Sequence, residues 1–120
     1  MSKSVLIAES SELLSAVLSE TLTLLGFTVV GRTSKKSQLN ALALKTRPDL
    51  LIYDLRLSDE SSDTVNIIKD LKAQLPEMKV VALGIYEHLL EPLKNANIEG
   101  YFNIYGKSSE FTKLLTVLFP

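Results

Sequence analysis

The apolar positions of this chain fall into two alternating rhythms. Short, nearly continuous runs occur at residues 5–8, 27–30, 50–53, 79–83 and 100–104. Their length and their content of Val, Ile, Leu and Tyr suit strands, and the central ones suit strands buried on both faces. Between them the spacing changes to three and four. Leu14, Val17, Leu18, Thr21, Leu22 and Leu25 form one such set, and Leu39, Leu42, Ala43 and Leu44 a second. Val65, Ile68, Leu71 and Leu75 form a third, and Phe111, Leu114, Leu115 and Leu118 a last. Each predicts a helix with one buried face. The segment after residue 84 is the least regular. Pro92 fits a first helical turn better than an interior, which predicts a short helix from about Glu91 to Ala96 or a longer one broken there.

Local signals mark the element ends. Ser10 and Ser11 are candidate N-caps for the first helix, with Glu12 in its first turn where the helix dipole favours an acid. Gly26 sits where a C′ glycine belongs, and Gly31 is expected to end the second strand. Ser34 is the expected cap of the second helix, which Pro48 ends. Pro76 ends the third helix, Gly84 the fourth strand, and Ser108 or Ser109 caps the last helix. Strand and helix alternate five times, which predicts right-handed βαβ crossovers and a parallel sheet with helices on both faces. The expected fold is α/β: a flavodoxin-like (βα)5 three-layer sandwich with a five-stranded parallel sheet in the order 2-1-3-4-5 and five helices.

A length of 120 residues sets one domain, and 46% hydrophobic content is enough for a core. The net charge of −1 leaves no basic footprint for nucleic acid or an acidic membrane surface. There is no cysteine, hence no disulfide framework and no thiolate site, which fits a cytoplasmic protein. No segment reaches the ~20 apolar residues of a membrane span, and the N-terminus lacks a signal-peptide core.

In a sheet of this order, chemistry sits at the carboxyl ends of strands one and three. The residues emerging there are Glu9, Ser10 and Asp54. Asp54 closes the stretch PDLLIYDLRLSD and precedes a polar loop, either as a turn former or as a functional carboxylate. Rival chemistries are weaker. Ser10 or Ser11 with the single His88 would need a nucleophile turn, and no Gly-x-Ser-x-Gly is present. His88 as a metal ligand lacks partners at metal-binding spacing. A flavin phosphate would meet an acidic, glycine-free first loop, Glu9-Ser10-Ser11-Glu12. Lys35 and Lys36 read as a solvated helix start. Tyr101, Phe102, Ile104 and Tyr105 fit either a strand buried on both faces or a face for a partner.

LIAES at the first strand, PDLLIYDLRLSD at the third, VVALG at the fourth and GYF opening the fifth together resemble the receiver domain of bacterial two-component response regulators. The resemblance covers essentially the whole chain and implies a phosphorelay module without a catalytic residue of its own. It implies that Asp54 accepts a phosphoryl group from a kinase histidine. It also implies a Mg²⁺ ion held by Asp54, by the acid at Glu9 and by the backbone carbonyl of Arg56. Mg²⁺ wants oxygen ligands near octahedral geometry and neutralises charge on a transferring phosphoryl group.

The departures from the family pattern are specific. The second acid of the pair is Ser10, a poor ligand for a hard dication. The strand-four hydroxyl position is Gly84, and the strand-five lysine position is Ile104. Lys107 lies three residues further on and would need a different loop to reach Asp54. The loop after Asp54 has Ser58 in place of proline and looks about two residues longer than usual. Tyr101 matches the family's switch aromatic, but its usual hydroxyl partner falls at Gly84, so it reads as a half-buried strand residue. The expectation is therefore an atypical or pseudo-receiver spanning 1–120, either as it stands or as a domain cut from a longer regulator. Its partner is a histidine kinase or phosphotransfer protein if Asp54 is phosphorylated. Otherwise it is a protein docked on the face of helix four, strand five and helix five, or a second copy in a homodimer.

Overall fold

Five apolar runs become five parallel strands. The computed structural model describes residues 2–57, 61–84 and 91–120, with the side chains of 61–63 and 91–92 left aside. The strands are β1 (Ser4–Ala8), β2 (Thr28–Thr33), β3 (Leu50–Asp54), β4 (Lys79–Gly84) and β5 (Gly100–Asn103). They form one sheet in the order β2-β1-β3-β4-β5, with every neighbouring pair parallel. The helices are α1 (Glu12–Leu24), α2 (Lys36–Thr46), α3 (Ser61–Gln74) and α4 (Ser108–Leu118).

Side-chain alternation along the strands divides the interior in two. Leu6, Ala8, Leu51, Tyr53, Val80 and Ala82 pack with Leu39 and Ala43 of α2 and Ile68 and Leu71 of α3. Val5, Ile7, Leu50, Ile52, Val81 and Leu83 pack with Leu18 and Leu22 of α1 and Phe111 and Leu115 of α4. All five residues of β3 are buried, as its unbroken apolar run requires.

Several local expectations are corrected. Four α-helices form among the described residues, not five; Glu91–Ala96 is a 3₁₀ helix that buries Leu93 and Ala96. Gly31 does not end β2. The strand continues to Thr33 through a register shift in which Val5 pairs with Val29 but Leu6 with Gly31. A Cβ at Gly31 would stand 3.1 Å from Leu6 Cδ1, so glycine is what lets the bulge lie flat on the core. Ser34 is not a cap: α2 starts from Lys35, whose N–H donates to Thr33 Oγ1 at 3.1 Å. Nor do Ser108 or Ser109 cap α4, because a turn closed by Gly106 N–H to the Asn103 carbonyl places Lys107 at the N-cap. On α1, Ser11 does cap, its Oγ accepting from Leu14 N–H, and Gly26 has the left-handed φ of 96° expected at C′. The buried face of α1 is narrower than its apolar pattern. Ser15 is buried while Val17 and Leu25 are exposed, since α1 covers the sheet with one stripe only. His88 and the residues 58–60 of the loop after Asp54 lie outside the described residues.

Candidate functional site

Sheet register sets the site. Ala8 pairs with Tyr53, so the next residues, Glu9 and Asp54, leave adjacent strands side by side. Both are buried, with exposures of 1% and 0%. Immediately after Asp54 the chain makes a 3₁₀ turn, Leu55–Leu57. Leu55 and Leu57 are buried and fasten the turn, which leaves Arg56 between them pointing outward and back over the strand end.

Arg56 closes on Asp54 with both backbone and side chain. Its N–H donates to Oδ1 at 2.8 Å, Nε lies 3.1 Å from Oδ1 and 3.2 Å from Oδ2, and Nη2 lies 2.7 Å from Oδ2. This is the two-pronged guanidinium–carboxylate geometry, the stronger form of ion pair. The same Nη2 is 3.9 Å from Glu9 Oε1. Glu9 is oriented from the other side, with Oε2 accepting from Ser11 N–H at 3.0 Å.

Electrostatics divide the two acids. Burial pushes the Glu9 carboxyl up to about 7, and the neighbouring Asp54 adds to the rise. With both acids ionised, no hydrogen-bond donor among the described residues reaches Glu9 Oε1. A proton on Glu9 supplies the missing O–H toward Asp54. Burial alone would raise Asp54, but the Arg56 guanidinium, the Glu9 carboxyl and the Arg56 N–H outweigh it and hold Asp54 below the usual carboxylate range. The bond to Asp54 in turn raises Arg56 and keeps it charged. Below pH 7 the cluster is thus a largely protonated Glu9, an ionised Asp54 and one cation.

The remaining expected positions are brought near this end of the sheet without joining the cluster. Ser10 is exposed. Gly84 ends β4, and the place its side chain would take is filled by Leu55 Cδ1 and the Tyr101 ring. Ile104 donates its N–H to the Gly84 carbonyl at 3.1 Å and turns its side chain into the α1/α4 core. Lys107 is exposed at the start of α4, and the ion pairs of Asp54 and Glu9 are with Arg56. Tyr101 packs against the α2/α3 core, Phe102 against the opposite one, and Tyr105 stays on the surface at 78% exposure. The run 101–105 is therefore shared between the two cores, with one large side chain left over. The Arg56 side chain was not anticipated from sequence, where only its carbonyl was singled out. The available signal was a cation two residues beyond a buried acid.

A family model for the response regulator receiver domain matches residues 5–118. The chain belongs to the response regulator receiver domain family. Among curated protein sequences none matches this one. Solved structures agree with the fold. A DNA-binding response regulator of the LuxR family from Staphylococcus aureus superposes with a TM-score of 0.84 at 15% identity, covering 97% of this chain and 98% of that one. The isolated REC domain of RcsB from Salmonella enterica serovar Typhimurium, solved with phosphomimetic BeF3-, gives 0.85 at 23% identity, over 98% and 88%. A response regulator from Thermotoga maritima gives 0.84 at 16% identity, over 98% of each chain. This receiver domain is a module of two-component signalling, a family whose members interact with kinases or phosphotransfer proteins.

Receiver domains typically bind Mg²⁺ at the phosphorylation site, and the side chains here do not fit that ion as arranged. Of the carboxylates expected to hold it, Asp54 has both oxygens engaged by Arg56, and burial biases Glu9 toward its protonated form. Ser10 brings no charge. Among the described residues no group of three His, Asp or Glu side chains could hold a metal, and no helix is long and apolar enough to cross a membrane.

Proposed function

We propose that this receiver domain signals as a phosphorylation-independent pseudo-receiver, binding a protein partner with its Asp54 pocket closed. One observation carries the reading: Asp54, the position matching the family's phosphoacceptor, is fully buried under a two-pronged ion pair with Arg56. An incoming phosphoryl group needs that carboxylate free and needs cationic support for its equatorial oxygens. Among the described residues the only cation at the site is already spent on Asp54, and Gly84 and Ile104 offer no hydroxyl or ammonium. Tyr101, with no side chain at Gly84 to draw it, serves as a packed strand residue and not as a switch. Tyr105, exposed on the surface, belongs to the strand-five side through which the partner is reached.

The test is intact-protein mass spectrometry after incubation with acetyl phosphate or carbamoyl phosphate and Mg²⁺, beside Asp54→Asn. The expected spectrum shows no adduct in either protein. A gain of one phosphoryl group that disappears in Asp54→Asn overturns the reading and restores Asp54 as a working acceptor.

A further inference from the structure

We infer that the Arg56 guanidinium is the resident cation of the Glu9–Asp54 pair, and that by occupying it Arg56 keeps divalent cations out. Two buried acids on adjacent strand ends need a positive charge. They receive it from within the chain. Arg56 makes three side-chain contacts of 2.7–3.2 Å to the two Asp54 oxygens and sets its Nη2 3.9 Å from Glu9 Oε1. It therefore sits against both acids, on the atoms a metal ion would have to take.

Alternative readings of this contact fail on geometry. A surface ion pair would leave both partners solvated and add little. Here one partner is wholly out of water, and the Arg56 backbone N–H is committed to the same carboxylate at 2.8 Å. The side chain is not placed by a freely mobile stem either. Its turn is fixed by buried Leu55 and Leu57 on either side, so the guanidinium is delivered to one place. A divalent ion arriving at Asp54 would meet that guanidinium at ion-pair distance, where like charges repel strongly in a protein-like dielectric. It would bind only after displacing Arg56, and the exposed Ser10 has no charge to add in exchange. Removal of the guanidinium should leave the reverse situation: two adjacent carboxyl groups without a cation, which is a divalent site in the making.

This deepens the reading of a closed pocket. It is tested with no phosphodonor present, so its failure and the failure of that reading are separate results. The probe is Mn²⁺, followed by loss of the free-ion electron paramagnetic resonance signal and by broadening of amide resonances. The proteins are wild type, Arg56→Ala, Arg56→Gln and Arg56→Ala with Asp54→Asn. Wild type is expected to take up no Mn²⁺ in the low millimolar range. The single variants should bind on the order of tenfold tighter or better, as expected for loss of one like charge a few ångströms away. Broadening should centre on Asp54, and binding should vanish when Asp54→Asn is added. Mg²⁺ should then raise the melting temperature of the single variants and not of wild type. Equal binding by wild type and variants overturns the inference, as does a folded Arg56→Ala or Arg56→Gln that binds nothing. Should neither variant fold, wild type decides alone. Amides broadened around Asp54 at low Mn²⁺ overturn the inference, and their absence supports it.

Discussion

The hydroxyl of Tyr101 stands 3.1 Å from the point where a Cβ on Gly84 would be, with Leu55 Cδ1 at the same distance. The last residue of β4 and an aromatic on β5 are thus complementary. The glycine vacates the volume that the ring takes. Contacts of 3.1 Å to a would-be Cβ are tighter than a side chain normally tolerates, so a larger residue at 84 must push something aside.

Gly84→Thr is therefore expected to destabilise the domain by about 1–3 kcal/mol in urea denaturation, the usual range for overpacking. Combining it with Tyr101→Ala should recover part of that loss, because the ring is one of the two obstacles. A double-mutant cycle measures the recovery, and strict additivity would show that the ring does not fill the Gly84 space.

Arg56 and Asp54 should respond unequally to substitution. Asp54 is fully buried, whereas 39% of the Arg56 side chain is exposed. After Asp54→Asn the guanidinium can turn to water. After Arg56→Ala the Asp54 charge cannot, and must remain unpaired or take up a proton. Arg56→Ala should cost roughly 2–4 kcal/mol and Asp54→Asn clearly less, although both delete the same ion pair. Equal costs in denaturant titrations would mean that Asp54 is better solvated than its burial indicates.

Stability should depend on pH through Glu9. Its folded pKa of about 7 lies above the ordinary 4.5, so the folded state holds the proton more tightly. That contribution is complete below pH 4.5 and is lost as pH rises toward 7, by up to about 3 kcal/mol. Asp54 acts in the opposite sense. Held below its ordinary 3.8, it contributes above that pH and loses its contribution as pH falls further. The two together predict a stability maximum in mildly acidic solution. Glu9→Gln should flatten the fall between pH 4.5 and 7, as read from denaturation midpoints across a pH series.

Lys107 should be silent. It is exposed at the start of α4, outside the ion pairs of the Asp54 cluster. Lys107→Ala should change stability by no more than about 0.5 kcal/mol, as a surface substitution does, and leave the Asp54 carboxyl carbon shift in place. A shift there would mean that the lysine reaches the pocket after all.

From the chain alone, periodicity determined the sheet, its order, and the fact that Glu9 and Asp54 emerge together. Unbroken apolar runs such as 50–53 need cover on both faces, and alternating βα units have few ways to provide it. The same local logic located Ser11 and Gly26, whose roles depend on their own turn. It misplaced the start of α2 by one residue and that of α4 by one or two. There Thr33 and the Gly106 turn decide, and each answers to the strand before it. It overstated the buried face of α1, because apolar spacing does not count how many neighbours a helix has. Tertiary structure alone decided how the site is charged. The identity of Arg56 was plain, but a long side chain has many rotamers. Only the anchoring of Leu55 and Leu57, the burial of Asp54 and the arrival of Glu9 from another strand bring its guanidinium onto both acids.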